Sequence, residues 1–294
     1  MTTKEDLYPH CDHDNGILAQ LHHHPNDDRI LFNELSHVYY CQWNTDGLYH
    51  PVKQSVSAFA HEYFPHFDAD AVIKKMMKSP NWTSSKYYGQ EPSQIKASWS
   101  EEGKKASAKG TKYHKYIEDF YNGQVFSENQ EEIAEIQQFI DWDEKRKERK
   151  WEVYRTEWRL FSDDQYKLAG TADLLLADSV QDDDENLRLI LADHKFSKEI
   201  KLSNKYQKGT GPCKTLEDTN YNHYSLAMNA YKWMLETFYH DVFYKGKFYK
   251  NIRIVKMYLD VYHETYPAYK EYPVDDMSEI LHSMLEIRKR NINK

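Results

Sequence analysis

Two apolar runs of strand length, each interrupted by a single carboxylate, constrain this chain more than anything else in it. Residues 167–178 read KLAGTADLLLAD and residues 187–198 read LRLILADHKFSK. A charge inside a sheet is costly unless it is paired or holds a metal, so Asp173, Asp193 and Lys195 need an explanation. Residues two apart on a strand share a face, which points Asp193 and Lys195 the same way as Leu187, Leu189 and Leu191. The connection between the runs, DSVQDDDEN at 178–186, reads as an acidic solvated turn. If the two strands pair as a hairpin, Asp173 lies beside Asp193. Two close carboxylates repel, which favours a shared proton or a divalent cation between them. Hard oxygen donors suit Mg²⁺ or Mn²⁺ rather than zinc. A lysine two residues past one ligand can orient or deprotonate a water and neutralise a pentavalent phosphate. The combination fits metal-assisted phosphodiester hydrolysis. Acid-x-Lys alone means little, since it recurs at Glu102-Gly-Lys104, Asp143-Glu-Lys145, Glu148-Arg-Lys150 and Glu199-Ile-Lys201 in helical or charged segments. Only 193–195 ends an apolar strand.

The chain of 294 residues supports a core that needs no disulfides, and its three cysteines are too scattered for a disulfide framework or a four-cysteine cluster. No apolar run approaches the roughly 20 residues of a membrane span, and the N-terminus lacks the order of a secretory signal. An intracellular protein, neither secreted nor membrane-bound, is expected. The net charge of −8 argues mildly against a general nucleic-acid coat protein but leaves room for a locally basic groove.

Residues 1–30, polar and rich in histidine, read as a mobile tail. The remainder, 31–294, reads as one domain: a helical part at 31–127 and a core at 128–294. A hairpin is expected around Asn44-Thr45-Asp46-Gly47, then a helix from Ser55 or Ser57 and another through 68–79 with Asp68 or Asp70 near its N-cap. Two helices broken near Gly110 follow, then a helix at 128–150 with Ile133, Ile136 and Ile140 inward. Strands at 151–161, 167–177 and 187–195 lead into a loop or flexible arm after Lys195. A helix at 222–240, a strand at 252–262 and a helix from Ser278 to about Arg290 complete the order. The fold class is α/β, a mixed central sheet flanked by helices.

Four stretches in order, GTKYHKYIE (110–118), GTAD (170–173), DHK (193–195) and YSLAMNAY (224–231), resemble the RecB-type nucleases of the PD-(D/E)xK superfamily. The wider layout, with SVSAF and SWSEEGKKASAKGT, looks most like the lambda-type exonucleases of phages and large DNA viruses. The resemblance spans roughly residues 35–262 and implies the restriction-endonuclease-like core with N-terminal helical additions. It implies metal ligation by His114, Asp173, Asp193 and the backbone carbonyl of His194, with Lys195 catalytic. Glu118, one helical turn beyond His114, would orient it or reach the metal through water. Glu157 either enters the site or belongs to a surface ladder with Arg155 and Arg159. Tyr231 would help seat the nucleic acid. Ala227 stands where the family carries a glutamine, which puts substrate positioning in doubt, and the iron–sulfur cysteines of some relatives are absent, so no cluster is expected. Lys198, Lys201, Lys205 and Lys208, with Phe196 and Tyr206, form either a soluble loop or a DNA-gripping arm. Lys104, Lys105, Ser107 and Lys109, near the expected start of the His114 helix, could receive a terminal phosphate.

The expectation is therefore a Mg²⁺- or Mn²⁺-dependent DNA exonuclease, by family analogy 5′→3′, in viral- or phage-type repair, recombination or replication. DNA is the implied partner, with a recombination or single-strand-binding protein as a possible second. The rivals are a non-catalytic nucleic-acid scaffold descended from a nuclease, motivated by Ala227, and an endonuclease or RNase on the same fold.

Overall fold

The computed structural model describes residues 11, 16–44, 47–123 and 133–292. Helix α1 (Ile17–Leu21) and a 3₁₀ turn over Pro25–Arg29 open the described chain. They correct the mobile-tail expectation for residues 16–30. Asp27 accepts hydrogen bonds from Arg155 Nη1 and Trp158 Nε1, each at 2.7 Å, and His22 and His24 are buried. A buried guanidinium demands a carboxylate, and Asp27 supplies it. Segment polarity alone carries no sign of that demand. Residues 1–10 and 12–15 lie outside the described residues.

Strands β1 (Ile30–Asn33), β2 (Val38–Cys41) and β3 (His50–Pro51) form a small antiparallel sheet, so the part expected to be helical is mixed. The hairpin expected around Asn44 has Thr45 and Asp46 outside the described residues, but β2 and β3 pair on either side of it. Strand β4 (Gln54–Ser55) leads into α2 (Val56–His61), capped by Ser55, and α3 (Ala69–Met77) is capped by Asp68.

Helix α4 (Pro92–Tyr121) runs unbroken for 30 residues, correcting the expected break near Gly110. A glycine inside a helix costs only about 1 kcal/mol relative to alanine, too little to end a well-capped helix. Here Pro92 and a Glu91–Gln94 capping box start it, and a Glu101–Lys105 pair at 3.3 Å spans Gly103. Helix α5 (Ala134–Glu148) follows, with Ile136 buried and Ile133 and Ile140 half-buried.

The central sheet contains β5 (Glu152–Phe161), β6 (Leu168–Ala177) and β7 (Asn186–Phe196). After helix α6 (Asn220–Phe238) and the hairpin β8 (Val242–Tyr244) and β9 (Lys247–Tyr249), strand β10 (Asn251–Tyr262) returns parallel to β7. Strand β11 (Lys270–Pro273) closes that edge and α7 (Ser278–Ile292) ends the described chain. The architecture is α/β with a mixed sheet between helices. Leu187, Leu189 and Leu191 pack with α6 and α7, while Ile190 and Ala192 pack with α4 and α5. Burial on both faces explains why β6 and β7 read as nearly continuous apolar runs. Among the described residues no helix is long and apolar enough to cross a membrane.

One detail of the sheet positions the site. Strand β5 follows one edge of β6 along nearly its whole length, while the other edge is shared by β4 at Leu168–Ala169 and β7 at Leu174–Ala177. Gly170 to Asp173 occupy the gap between β4 and β7, where β7 splays away.

Candidate active site

The last β6–β7 pair is Leu174↔Ala192, and one more step in that register sets Asp173 against Asp193 at the mouth of the fork. On the other edge, Thr156↔Leu174 and Trp158↔Ala172 bracket Glu157 and Asp173, which face each other without a regular pair. Glu157 has φ +44°, a left-handed conformation costing a non-glycine residue on the order of 1–2 kcal/mol. Side-chain alternation fails at the same place: Ala172 belongs to the core layer under α6, and Leu174, of equal parity, to the layer under α4. This irregularity aims the Glu157 and Asp173 carboxylates into one space.

Helix α4 brings His114 to them. Its C-terminal part is held by Tyr113 stacked on Phe196 at 4.3 Å, by Asn122 Nδ2 donating to Thr156 Oγ1 at 3.2 Å, and by Lys109 bridging to Glu135. His114 Nδ1 lies 3.1 Å from Glu157 Oε1 and 3.6 Å from Asp173 Oδ2. Ligand atoms of His114, Glu157 and Asp173 all fall within 4.8 Å of one another, as a metal centre requires. The His194 amide donates to Asp173 Oδ2 at 3.0 Å, fixing that carboxylate. Lys195 Nζ lies 2.5 Å from Asp193 Oδ1 and 3.6 Å from Asp173 Oδ2, and 5.2 Å above the Tyr224 ring.

The charges here are strongly coupled. Burial alone would lower the His114 pKa, but the Asp173 charge and the hydrogen bond and charge of Glu157 outweigh it and raise the imidazolium to about 9. Burial and the Asp173 charge raise Asp193 to about 7, against the pull of Lys195. Burial disfavours a charged Lys195, yet Asp173 and Asp193 together keep its ammonium well above the ordinary lysine range. The cluster thus stores protons where carboxylates crowd.

The remaining sequence-derived candidates divide. The His194 side chain lies on the opposite face of the sheet, 4.8 Å from the Trp142 ring with Nδ1 3.0 Å from the Tyr262 hydroxyl; burial first, then the nearby His114 charge, lowers it to about 3. Tyr231 reaches the gap: a Cβ on Gly170 would sit 2.6 Å from its hydroxyl, so only glycine admits the ring. Ala227, one turn earlier, is packed against the main core. Glu118 pairs with Lys115 at 3.2 Å, and the carboxylates paired with His114 Nδ1 are those of Glu157 and Asp173. Arg155 is committed to Asp27, which separates it from the expected surface ladder.

Lys104, Lys105 and Ser107 are exposed at mid-helix, which corrects the expected helix start: their amides lie inside the helix rather than among its unpaired first four. At 100° per residue Ser107 shares the His114 face, whereas Lys105 points oppositely and pairs with Glu101. Lys109 is occupied by Glu135 and Glu264. Lys198 and Lys201 are exposed on the segment leaving β7, which is more ordered than a free arm. Lys201 N donates to Asn220 Oδ1 at 2.8 Å, Asn204 Nδ2 to Asp218 O at 2.8 Å, and Tyr266 to Lys198 O at 2.5 Å.

Three contributors escaped sequence reasoning. Thr171 and Tyr39, joined at 2.9 Å, line the gap beside Asp173, and Tyr224 lies under Lys195. Tyr224 had a readable signal, since it precedes Tyr231 by seven residues on one helix face. Tyr39 had none, coming from the separate small sheet.

Compared with known proteins, the chain matches no family model and no curated protein.

Proposed function

We propose that the chain is a divalent-metal-dependent nuclease of the PD-(D/E)xK type that degrades DNA from its ends. The observation that carries this reading is the gathering of His114, Glu157, Asp173, Asp193 and Lys195 at one fork in the sheet. One imidazole among several carboxylates is a donor set suited to Mn²⁺ or Mg²⁺. His114, Glu157, Asp173 and Asp193 would hold the ion, with the His194 carbonyl as a further oxygen donor. When bound, the ion supplies Lewis-acid polarisation of a phosphate oxygen and a more acidic water.

The chain's own groups do the rest. The His194 amide and the β5 irregularity keep Asp173 and Glu157 aimed inward. The Lys195 ammonium, held by two carboxylates, would orient a water and offset charge building on a phosphate. Asp193, ionised when it serves as a ligand, would keep the Lys195 ammonium beside that water through its 2.5 Å contact. Tyr231 and Tyr224 wall the gap, and Lys198 and Lys201 border the exit of β7, where a DNA backbone would run.

The deciding experiment is digestion of linear DNA labelled singly at either end, with Mg²⁺, Mn²⁺ or EDTA. Loss of label from ends with metal, none with EDTA, and survival of closed circular DNA is the expected result. Asp193→Ala and Lys195→Ala should each slow cleavage by roughly 10²–10⁴-fold. Near-parental rates in both would defeat the assignment.

A further inference from the structure

Five aromatic side chains, Phe67, Trp82, Tyr87, Tyr88 and Trp99, belong to none of the core clusters. They gather where α3, its connection and the first turns of α4 meet. Phe67 and Tyr87 each lie 5.9 Å from the Trp99 ring, whose Nε1 donates to the Tyr87 hydroxyl at 2.7 Å, and Trp82 lies 6.1 Å from Tyr88. Phe67 is 72% exposed and Tyr88 58%, so large ring faces meet solvent. Residues 67–99 hold five lysines against three acids, in a chain whose net charge is −8. Lys74, Lys75 and the C-cap Lys78, at i, i+1 and i+4, are all exposed at the C-terminal end of α3. None of these three meets a carboxylate among the described residues, whereas Lys96 and Lys86 pair with Asp70 and Glu102.

Exposed rings interleaved with uncompensated ammonium groups match one kind of ligand chemistry, a strand whose bases stack and whose phosphates are anionic. Helix α4 links this lobe to the fork: Trp99 to His114 is fifteen residues, about 22 Å, or on the order of seven stacked nucleotides at about 3.4 Å each. We propose that the α3–α4 lobe is a binding site for single-stranded DNA, engaging the strand several nucleotides away from the one held at the metal cluster. The link to the cluster rests on the nuclease reading above; strand binding by the lobe does not.

The test is fluorescence anisotropy with labelled oligothymidylates of six and twenty residues in EDTA, using the full chain. Phe67→Ala/Tyr88→Ala should weaken twenty-mer binding about tenfold or more while leaving the six-mer, held at the fork, within twofold. Lys74→Glu/Lys75→Glu/Lys78→Glu should lower the salt slope of twenty-mer binding by about 2. Unchanged thermal melting of the variants removes misfolding as the cause. Twenty-mer affinities within twofold of the parent, or a parent that binds no twenty-mer, overturn the proposal. So does a loss seen only on a blunt duplex, or an aromatic variant that shifts a dimer to monomer with strand affinity intact. A parent that binds through the lobe yet degrades nothing with Mg²⁺ or Mn²⁺ sinks the nuclease reading and leaves the lobe standing; normal digestion with indifferent lobe variants does the reverse.

Discussion

A divalent cation bound as proposed would have to displace the protons on His114 and Asp193, because a metal-bound imidazole is neutral and a metal-bound carboxylate ionised. With His114 raised to about 9 and Asp193 to about 7, Mn²⁺ binding at pH 7 should release about one to two protons. Calorimetry in two buffers of different ionisation enthalpy reads that number, and zero would exclude His114 as a ligand. The sign for the metal-free chain is opposite. A raised histidine pKa contributes stability in full below 6.5, and that contribution fades as pH rises through about 9. Metal affinity should climb across the same window. At Gly170, valine would drive its Cβ into the Tyr231 ring, and urea unfolding should register a loss of about 1–3 kcal/mol. Asp173, Asp193 and Lys195 are legible in the chain because each interrupts an apolar run. Glu157 is legible only as one of two readings, because its arrival depends on a left-handed residue and a failure of alternation that composition does not record.

Among the elements, those defined by long periodic patterns and caps are readable: Ser55 and Asp68 cap as their residue types suggest. Short β11 and the β8–β9 hairpin are too brief to stand out, and their pairing comes from distant strands. Helix α4 shows the opposite error, in which Gly110 looks like a breaker but only weakens. Nothing lies within 4 Å of a Cβ at Gly103 or Gly110, so Gly103→Ala and Gly110→Ala should each stabilise by about 0.5–1 kcal/mol in urea unfolding. A loss at either position would mean that the helix needs glycine there for some other contact.

For the whole molecule, the Asp27–Arg155 pair ties the start of the chain to the central sheet. Asp27→Ala removes the carboxylate that Arg155 and Trp158 share and should lower the unfolding midpoint. A variant replacing both partners by apolar residues should recover most of that loss. The order β11–β10–β7–β6 also has a kinetic side. Strand β7 ends at Phe196 and its parallel neighbour β10 begins at Asn251, with α6 between them. At about 5–20 residues per second of synthesis, the intervening stretch takes on the order of 3–11 s to emerge. Throughout that interval a strand edge whose centre, Leu189 to Ala192, is apolar waits unpaired on the ribosome, an invitation to aggregate that a holding chaperone would relieve.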